Sequence, residues 1–204
     1  MRISENLWCK CSGSVGWRYL WALWCALALG QWVSAQSAGR WGGVVAGVPF
    51  VYEHLPEGRA YQPYQLLGWW TLSDLKKRGA DHLFWYVEPQ LVFVTFSDDS
   101  GPDWEVGLNS GLMYQLALGQ GWYATAAIGT GPHYVTVETS LQARGFIFSD
   151  NFEVGIIAPG GKRMQLHMRT RFRHISNAGL KNPNKGIDVF FALAGVVWQI
   201  GAQL

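Results

Sequence analysis

Three stretches of this chain alternate apolar and polar residues for longer than an ordinary soluble strand runs. In 103–118, Trp104, Val106, Leu108, Leu112, Tyr114, Leu116 and Leu118 share one face, while Asp103, Glu105, Gly107, Asn109, Gly111 and Gln115 share the other. In 162–176, Met164, Leu166, Met168, Thr170 and Phe172 oppose Arg163, Gln165, His167, Arg169, Arg171 and Arg173. In 145–158, Phe146, Phe148, Phe152, Val154 and Ile156 oppose Ser149, Asn151, Glu153 and Gly155. A period of two belongs to extended chain, because successive side chains point to opposite faces of a sheet. Turn signals separate these runs from others: Pro56-Glu57-Gly58, Lys76-Lys77-Arg78-Gly79, Asp98 to Pro102, Gly119-Gln120-Gly121 and Pro159-Gly160-Gly161. Eight strands are expected, near 44–54, 64–72, 83–96, 103–118, 122–138, 145–158, 162–176 and 187–200. They reach or exceed the ~9–11 residues that cross a bilayer as β-strand.

The first 35 residues read differently. Arg2, Lys10 and Arg18 precede or flank the apolar run Tyr19–Gly30, and Val33-Ser34-Ala35 offers small residues for cleavage before Gln36. This is the pattern of a secretory signal peptide. Its apolar run is shorter than the ~18 residues of a membrane anchor. Cys9, Cys11 and Cys25, the chain's 3 cysteines, leave with it. The mature chain, 36–204, is then one domain without a disulfide framework or a thiolate metal site. It keeps 13 basic and 13 acidic residues, since three of 16 and one of 14 lie in the leader. A balanced charge gives no electrostatic footprint for nucleic acid. A hydrophobic content of 49% argues against disorder.

Alternation alone fits a soluble sandwich or a lipocalin-like binder as well. The polar face decides between them. It carries small residues and opposed charges (Glu105, Glu153 and the arginines of 162–176), as a narrow filled lumen needs. Trp69, Trp70, Trp85, Tyr86, Trp104, Trp122 and Tyr123 gather at strand ends, as in interfacial girdles. The preferred reading is all-β: an eight-stranded antiparallel transmembrane β-barrel of outer-membrane type, formed after signal-peptide removal. Links 119–121 and 159–161 suit periplasmic turns, and 73–82 and 177–186 suit extracellular loops.

Chemistry concentrates in Phe172–Asp188. His174 and Ser176 are two residues apart on an extended run, so they share a face with Cα atoms roughly 6.6 Å apart. That spacing lets a base approach a hydroxyl. Asn177 adds an amide donor and Gly179 lets the backbone present N–H groups to an oxyanion. Asp188 opens the next strand, and antiparallel return brings it beside His174, where it can fix the imidazole tautomer. Counting by twos, His174 and Ser176 continue the Met164–Phe172 row, which faces lipid in a barrel. The nucleophile then meets an acyl chain in the leaflet rather than a soluble substrate. Other histidines carry less: His167 reads as a lumen hydrogen-bonder, His133 as a packing residue at a Gly/Pro break, His54 and His82 as loop or interface residues. Their spacing does not form a zinc site. A non-catalytic surface barrel, with a structural or adhesive role, shares all features except the need for His174 and Ser176.

The segment His174-Ile-Ser176-Asn177-Ala178-Gly179-Leu180, with Pro183-Asn184 and Gly186-Ile187-Asp188 after it, resembles the signature of the PagL-type lipid A 3-O-deacylases. The stretch Gly145–Gly155 resembles the family more loosely. The resemblance implies an outer-membrane acyl hydrolase of Gram-negative bacteria, without cofactor or metal. Lipopolysaccharide lipid A is the implied substrate, outer-membrane lipids the surroundings, and a homodimer a compatible assembly. Ser176 is the implied nucleophile and His174 the base, with Asn177 and the Gly179 N–H lining the oxyanion hole. The family's acid is Glu where this chain has Asp188, one methylene shorter. A gap of roughly 1 Å or a bridging water is therefore expected at His174, a misplacement worth ~100-fold in rate.

Overall fold

The structure, a computed structural model, describes residues 40–98 and 102–200. The segment 1–35, expected to be a signal peptide, lies outside them. Eight strands follow in chain order: β1 (Arg40–Val51), β2 (Tyr61–Arg78), β3 (Asp81–Phe96), β4 (Asp103–Gly119), β5 (Trp122–Val135), β6 (Gly145–Pro159), β7 (Met164–Ser176) and β8 (Ile187–Ile200). Each pairs antiparallel with its neighbours, and β1 pairs with β8 to close a barrel. Every expected strand overlaps one of these, with ends that differ by up to six residues. Full closure satisfies the backbone groups that an open edge would leave unpaired in hydrocarbon.

Links at one end are short: Gly79–Ala80, Gln120–Gly121 and 160–163. The longer links 52–60, 136–144 and 177–186 share the other end. The expectation of a loop at 73–82 is corrected here. β2 continues through the charged Lys76-Lys77-Arg78 to a two-residue turn, on the opposite end of the barrel from 177–186. Register shifts between Thr71 and Ser73 and between Asp74 and Lys76 bend the strand there, so its period-2 pattern breaks although its pairing with β3 persists.

The outward rows are apolar and exposed, with Leu108, Leu116, Phe152, Val154 and Met168 among them. Trp70, Trp104 and Trp122 are also exposed. Trp69 and Tyr86, expected in the girdle, instead point inward and stack with centroids 6.1 Å apart. Each follows or precedes an outward residue in the strand, and alternation sends it to the other face.

The lumen is filled. Arg171 donates to Glu153 from Nε at 2.7 Å and to Glu88 from Nη2 at 2.5 Å. Arg169 donates to Glu153 at 2.6 Å. Arg173 donates to Glu105 at 2.8 Å and to the Tyr61 hydroxyl at 2.9 Å, and Tyr61 donates to Glu105. Arg163, counted with this ladder from sequence, lies exposed in the 160–163 turn. His133 is buried on Gln90, 3.1 Å away, with its ring lying against Gly107, where a Cβ would fall 2.2 Å from it. His167 packs edge-on against Trp69 at 5.3 Å and makes no hydrogen bond among the described residues, against the expectation for it. A buried apolar cluster that includes Val94, Val137, Leu141, Ile147, Ile175 and Ile187 closes the loop end.

Candidate active site

β7 and β8 are hydrogen-bonded neighbours with His174 directly opposite Asp188. Both side chains face outward, and His174 Nδ1 lies 2.6 Å from Asp188 Oδ1. The gap expected from the shorter acid is absent. The cross-strand pair brings the two Cβ atoms to about 5 Å, close enough for a one-carbon stem to reach. Ser176, the last residue of β7, is half-buried on the same outward row. Ile175 pairs with Ile187, so the next step along the ladder sets Ser176 towards Gly186. The His174 ring rests on that glycine: a Cβ there would lie 2.5 Å from Cε1 and 3.1 Å from Nε2. With Nδ1 held by Asp188, the ring edge carrying Nε2 is left on the Ser176–Gly186 side. Among the described residues, the Ser176 hydroxyl makes no hydrogen bond to His174.

Asn177 is buried and organises the turn after β7. Its N–H donates to Asn184 Oδ1 at 2.7 Å. Its Oδ1 accepts from Gly179 N at 3.0 Å and Lys181 N at 3.4 Å. Its Nδ2 donates to the Lys181 carbonyl at 2.6 Å and reaches the Pro183 carbonyl at 3.5 Å. Both donors expected at an oxyanion hole thus have acceptors inside the loop. Ala178 and Gly179 adopt left-handed backbone with φ 52° and 79°. The Ala178 N–H between these donors makes no hydrogen bond among the described residues. The 136–144 loop braces this segment from the mouth of the barrel. Gln142 bridges to Asn184, Ala143 N donates to the Pro183 carbonyl at 2.9 Å, and Lys185 N donates to the Leu141 carbonyl at 2.8 Å.

The row containing His174 crosses four strands. Thr130 on β5, Asp150 on β6, His174 and Asp188 are successive cross-strand partners. Thr130 Oγ1 donates to Asp150 Oδ1 at 2.6 Å. One row nearer the short turns, Ile128, Phe152, Phe172 and Phe190 are likewise successive partners. They line an open apolar groove of about 540 Å³ together with Leu112 and Val154. The polar row lies one outward step beyond these four residues along the strands. Sequence reasoning did not single out Asp150, although alternation in 145–158 sets it on the Phe148–Phe152 face. Gly186 was read as part of a loop and of the family-like segment, with no role at His174.

A search among curated proteins finds no match. Among solved structures, the outer membrane enzyme PagL aligns with a TM-score of 0.60 at 18% identity, covering 78% of this chain and 99% of that one. Neisserial surface protein A (NspA) aligns with a TM-score of 0.54 at 13% identity, covering 80% and 98%. Both likenesses carry the barrel fold. The sequence itself matches the family described as lipid A 3-O-deacylase (PagL) over residues 13–197, nearly the whole barrel and all of the polar row. The chain belongs to the lipid A 3-O-deacylase (PagL) family of outer-membrane proteins.

Proposed function

We propose that this chain is an outer-membrane esterase that removes the ester-linked 3-hydroxyacyl chain at the 3 position of lipid A. Ser176 is the nucleophile, His174 the general base and Asp188 the acid that holds the imidazole. The 2.6 Å contact between His174 Nδ1 and Asp188 on the lipid-facing wall carries the reading. A carboxylate and an imidazole are costly on a surface that meets hydrocarbon, and they concentrate where function needs them.

His174 Nε2 accepts the Ser176 proton as Oγ attacks the ester carbonyl. Such contacts are commonly loose before substrate docks and tighten in the complex. Negative charge on the carbonyl oxygen is met at the 177–179 turn. Gly179 N–H exchanges Asn177 Oδ1 for the oxyanion, or Asn177 Nδ2 gives up its long contact to Pro183. Collapse of the tetrahedral intermediate expels the sugar oxygen, which takes the proton from His174. Water, deprotonated by His174, then attacks the acyl-serine; the Ser176 Oγ leaves, takes that proton back from His174, and the 3-hydroxy fatty acid is released. Residues 1–35 serve as the export signal, and 36–204 form the mature barrel.

Mass spectrometry of lipid A from Gram-negative cells expressing the wild type or Ser176→Ala tests this. The wild type is expected to lower lipid A by one 3-hydroxyacyl group, and Ser176→Ala to leave it intact in a folded, membrane-embedded barrel. Deacylation by Ser176→Ala would remove the serine from the mechanism.

A further inference from the structure

The balanced charge of the barrel hides an uneven placement. In the lumen, Arg169, Arg171 and Arg173 are matched by Glu88, Glu105 and Glu153. At the end with the short turns lie Arg40, Lys76, Lys77, Arg78, Lys162 and Arg163, all exposed, and none makes a salt bridge among the described residues. The acids at that end are engaged. Asp74 is held by His82 at 2.7 Å, and Asp81 accepts from the Tyr114 hydroxyl and the Ala117 N–H. The cations also gather on one side. They sit at the start of β1, at the end of β2 and in the 160–163 turn that leads into β7, so the arc from β7 through β8 and β1 to β2 carries them all.

Register sets two of them together. Arg40 pairs with Ile200, and Met164 pairs with Trp198. The Gln199 N–H donates to the Arg163 carbonyl at 3.0 Å, so the ladder runs on past Met164 and brings Lys162 beside Ile200. Arg40 and Lys162 therefore flank Ile200, two strand spacings or about 10 Å apart between backbones. One outward step into the membrane, Trp70 and Trp198 flank Gly42 in the same way. Both indoles are exposed. The glycine lets its neighbours close over it: a Cβ there would fall 2.5 Å from Trp70 Cδ1 and 2.2 Å from Ile200 Cδ1. Two tryptophans thus stand over two unpaired cations on the same wall. Beyond them the outward face is apolar and low, with Val44 paired to Val196 and Ala46 to Ala194.

Indole rings settle at the depth of lipid headgroups, and cations just outside them meet phosphate. Short turns of an outer-membrane barrel face the periplasm, where the leaflet is built from phospholipid. A zwitterionic headgroup brings its own ammonium to its phosphate. An anionic one does not, and its charge is left for the protein to answer.

We propose that Arg40 and Lys162, beneath Trp70 and Trp198, bind the phosphate of an anionic phospholipid in the periplasmic leaflet, across the membrane from the candidate active site. The acyl chains of that lipid lie along the Val44–Ala46 side of the wall.

The test uses the folded barrel extracted from membranes in a non-ionic detergent. Native mass spectrometry gives the Kd of dioleoylphosphatidylglycerol and of dioleoylphosphatidylcholine for the wild type, Arg40→Gln/Lys162→Gln and Lys181→Gln/Lys185→Gln. The wild type is expected to prefer phosphatidylglycerol by about 30-fold, from about 1 kcal/mol per cation. Arg40→Gln/Lys162→Gln is expected to bring the two lipids to nearly equal affinity. Lys181→Gln/Lys185→Gln, the same change of charge at the loop end, is expected to keep the preference. Equal affinities in the wild type overturn the proposal whether or not any variant folds. A preference that survives in Arg40→Gln/Lys162→Gln, shown to be folded by heat-modifiable migration, overturns it too. So does a preference lost equally in both double variants, because net charge and not this site would then select the lipid.

Discussion

Gly186→Ala moves the His174 ring without removing any group of the proposed triad. The added Cβ falls 2.5 Å from His174 Cε1, 3.1 Å from Nε2 and 3.1 Å from the Ile175 carbonyl oxygen. Carbon atoms pack at about 3.5–4 Å, so the ring must retreat by about 1 Å or swing off its Asp188 contact. A displacement of that size in a reacting group costs about 100-fold in rate. The substitution also places alanine at φ 80°, a strain of about 1–2 kcal/mol. Gly119→Ala separates the two effects. That glycine has φ 95°, lies at the opposite end of the barrel, and its added Cβ would have no atom within 4 Å. The assay is release of 3-hydroxy fatty acid from detergent-solubilised lipid A, with heat-modifiable migration on a gel reporting the folded barrel. Gly186→Ala is expected to fold and lose about 100-fold in kcat, and Gly119→Ala to fold and keep its rate. Equal rates for the two variants would refute the claim that the position of the His174 ring sets the rate.

Asp188→Asn keeps the shape of the acid and removes its charge. It is expected to lower kcat by about 10⁴-fold with unchanged folding, as the imidazole loses its fixed tautomer; fluorophosphonate labelling of Ser176 should slow in parallel, and full activity would take Asp188 out of the site. Arg171→Met removes one of the two arginines shared by Glu88 and Glu153 in the lumen and leaves Arg169 to face both carboxylates. It should destabilise the barrel by about 3–5 kcal/mol in urea unfolding from detergent, while the fraction that remains folded keeps its rate, because the lumen and the outward site share no side chain.

Strand number and facing were legible because closure and a lipid surroundings enforce strict alternation. Leu108, Phe152 and Met168 declare their face by period alone. Where alternation breaks, legibility fails: the bulged end of β2, with Ser73 and Asp74 between register shifts, read as a loop. Girdle and lumen aromatics were confused for a related reason. Trp69-Trp70 and Trp85-Tyr86 are adjacent pairs, and composition does not tell which member faces in. At the site, His174, Ser176 and Asp188 share the outward wall as spacing requires. The internal satisfaction of Asn177 could not be read, because it depends on Asn184 and Pro183 folding back across the loop and on Gln142 bridging to it from a different connection.

β7 joins the two halves of the molecule. Its inward residues Arg169, Arg171 and Arg173 bind carboxylates of β3, β4 and β6. Its outward residues His174 and Ser176 face the leaflet. A one-residue slip of β7 would reverse both sets at once, because the period is two. It would turn three arginines to hydrocarbon, at roughly 2–4 kcal/mol each near the midplane, and seal the proposed nucleophile, Ser176, inside the filled lumen. The ion network therefore does more than fill space. Salt bridges inside a protein are weak sources of net stability, but a set of charges that tolerates only one facing is a strong source of register. The register so fixed is what sets His174 opposite Asp188 and Ser176 one step beyond.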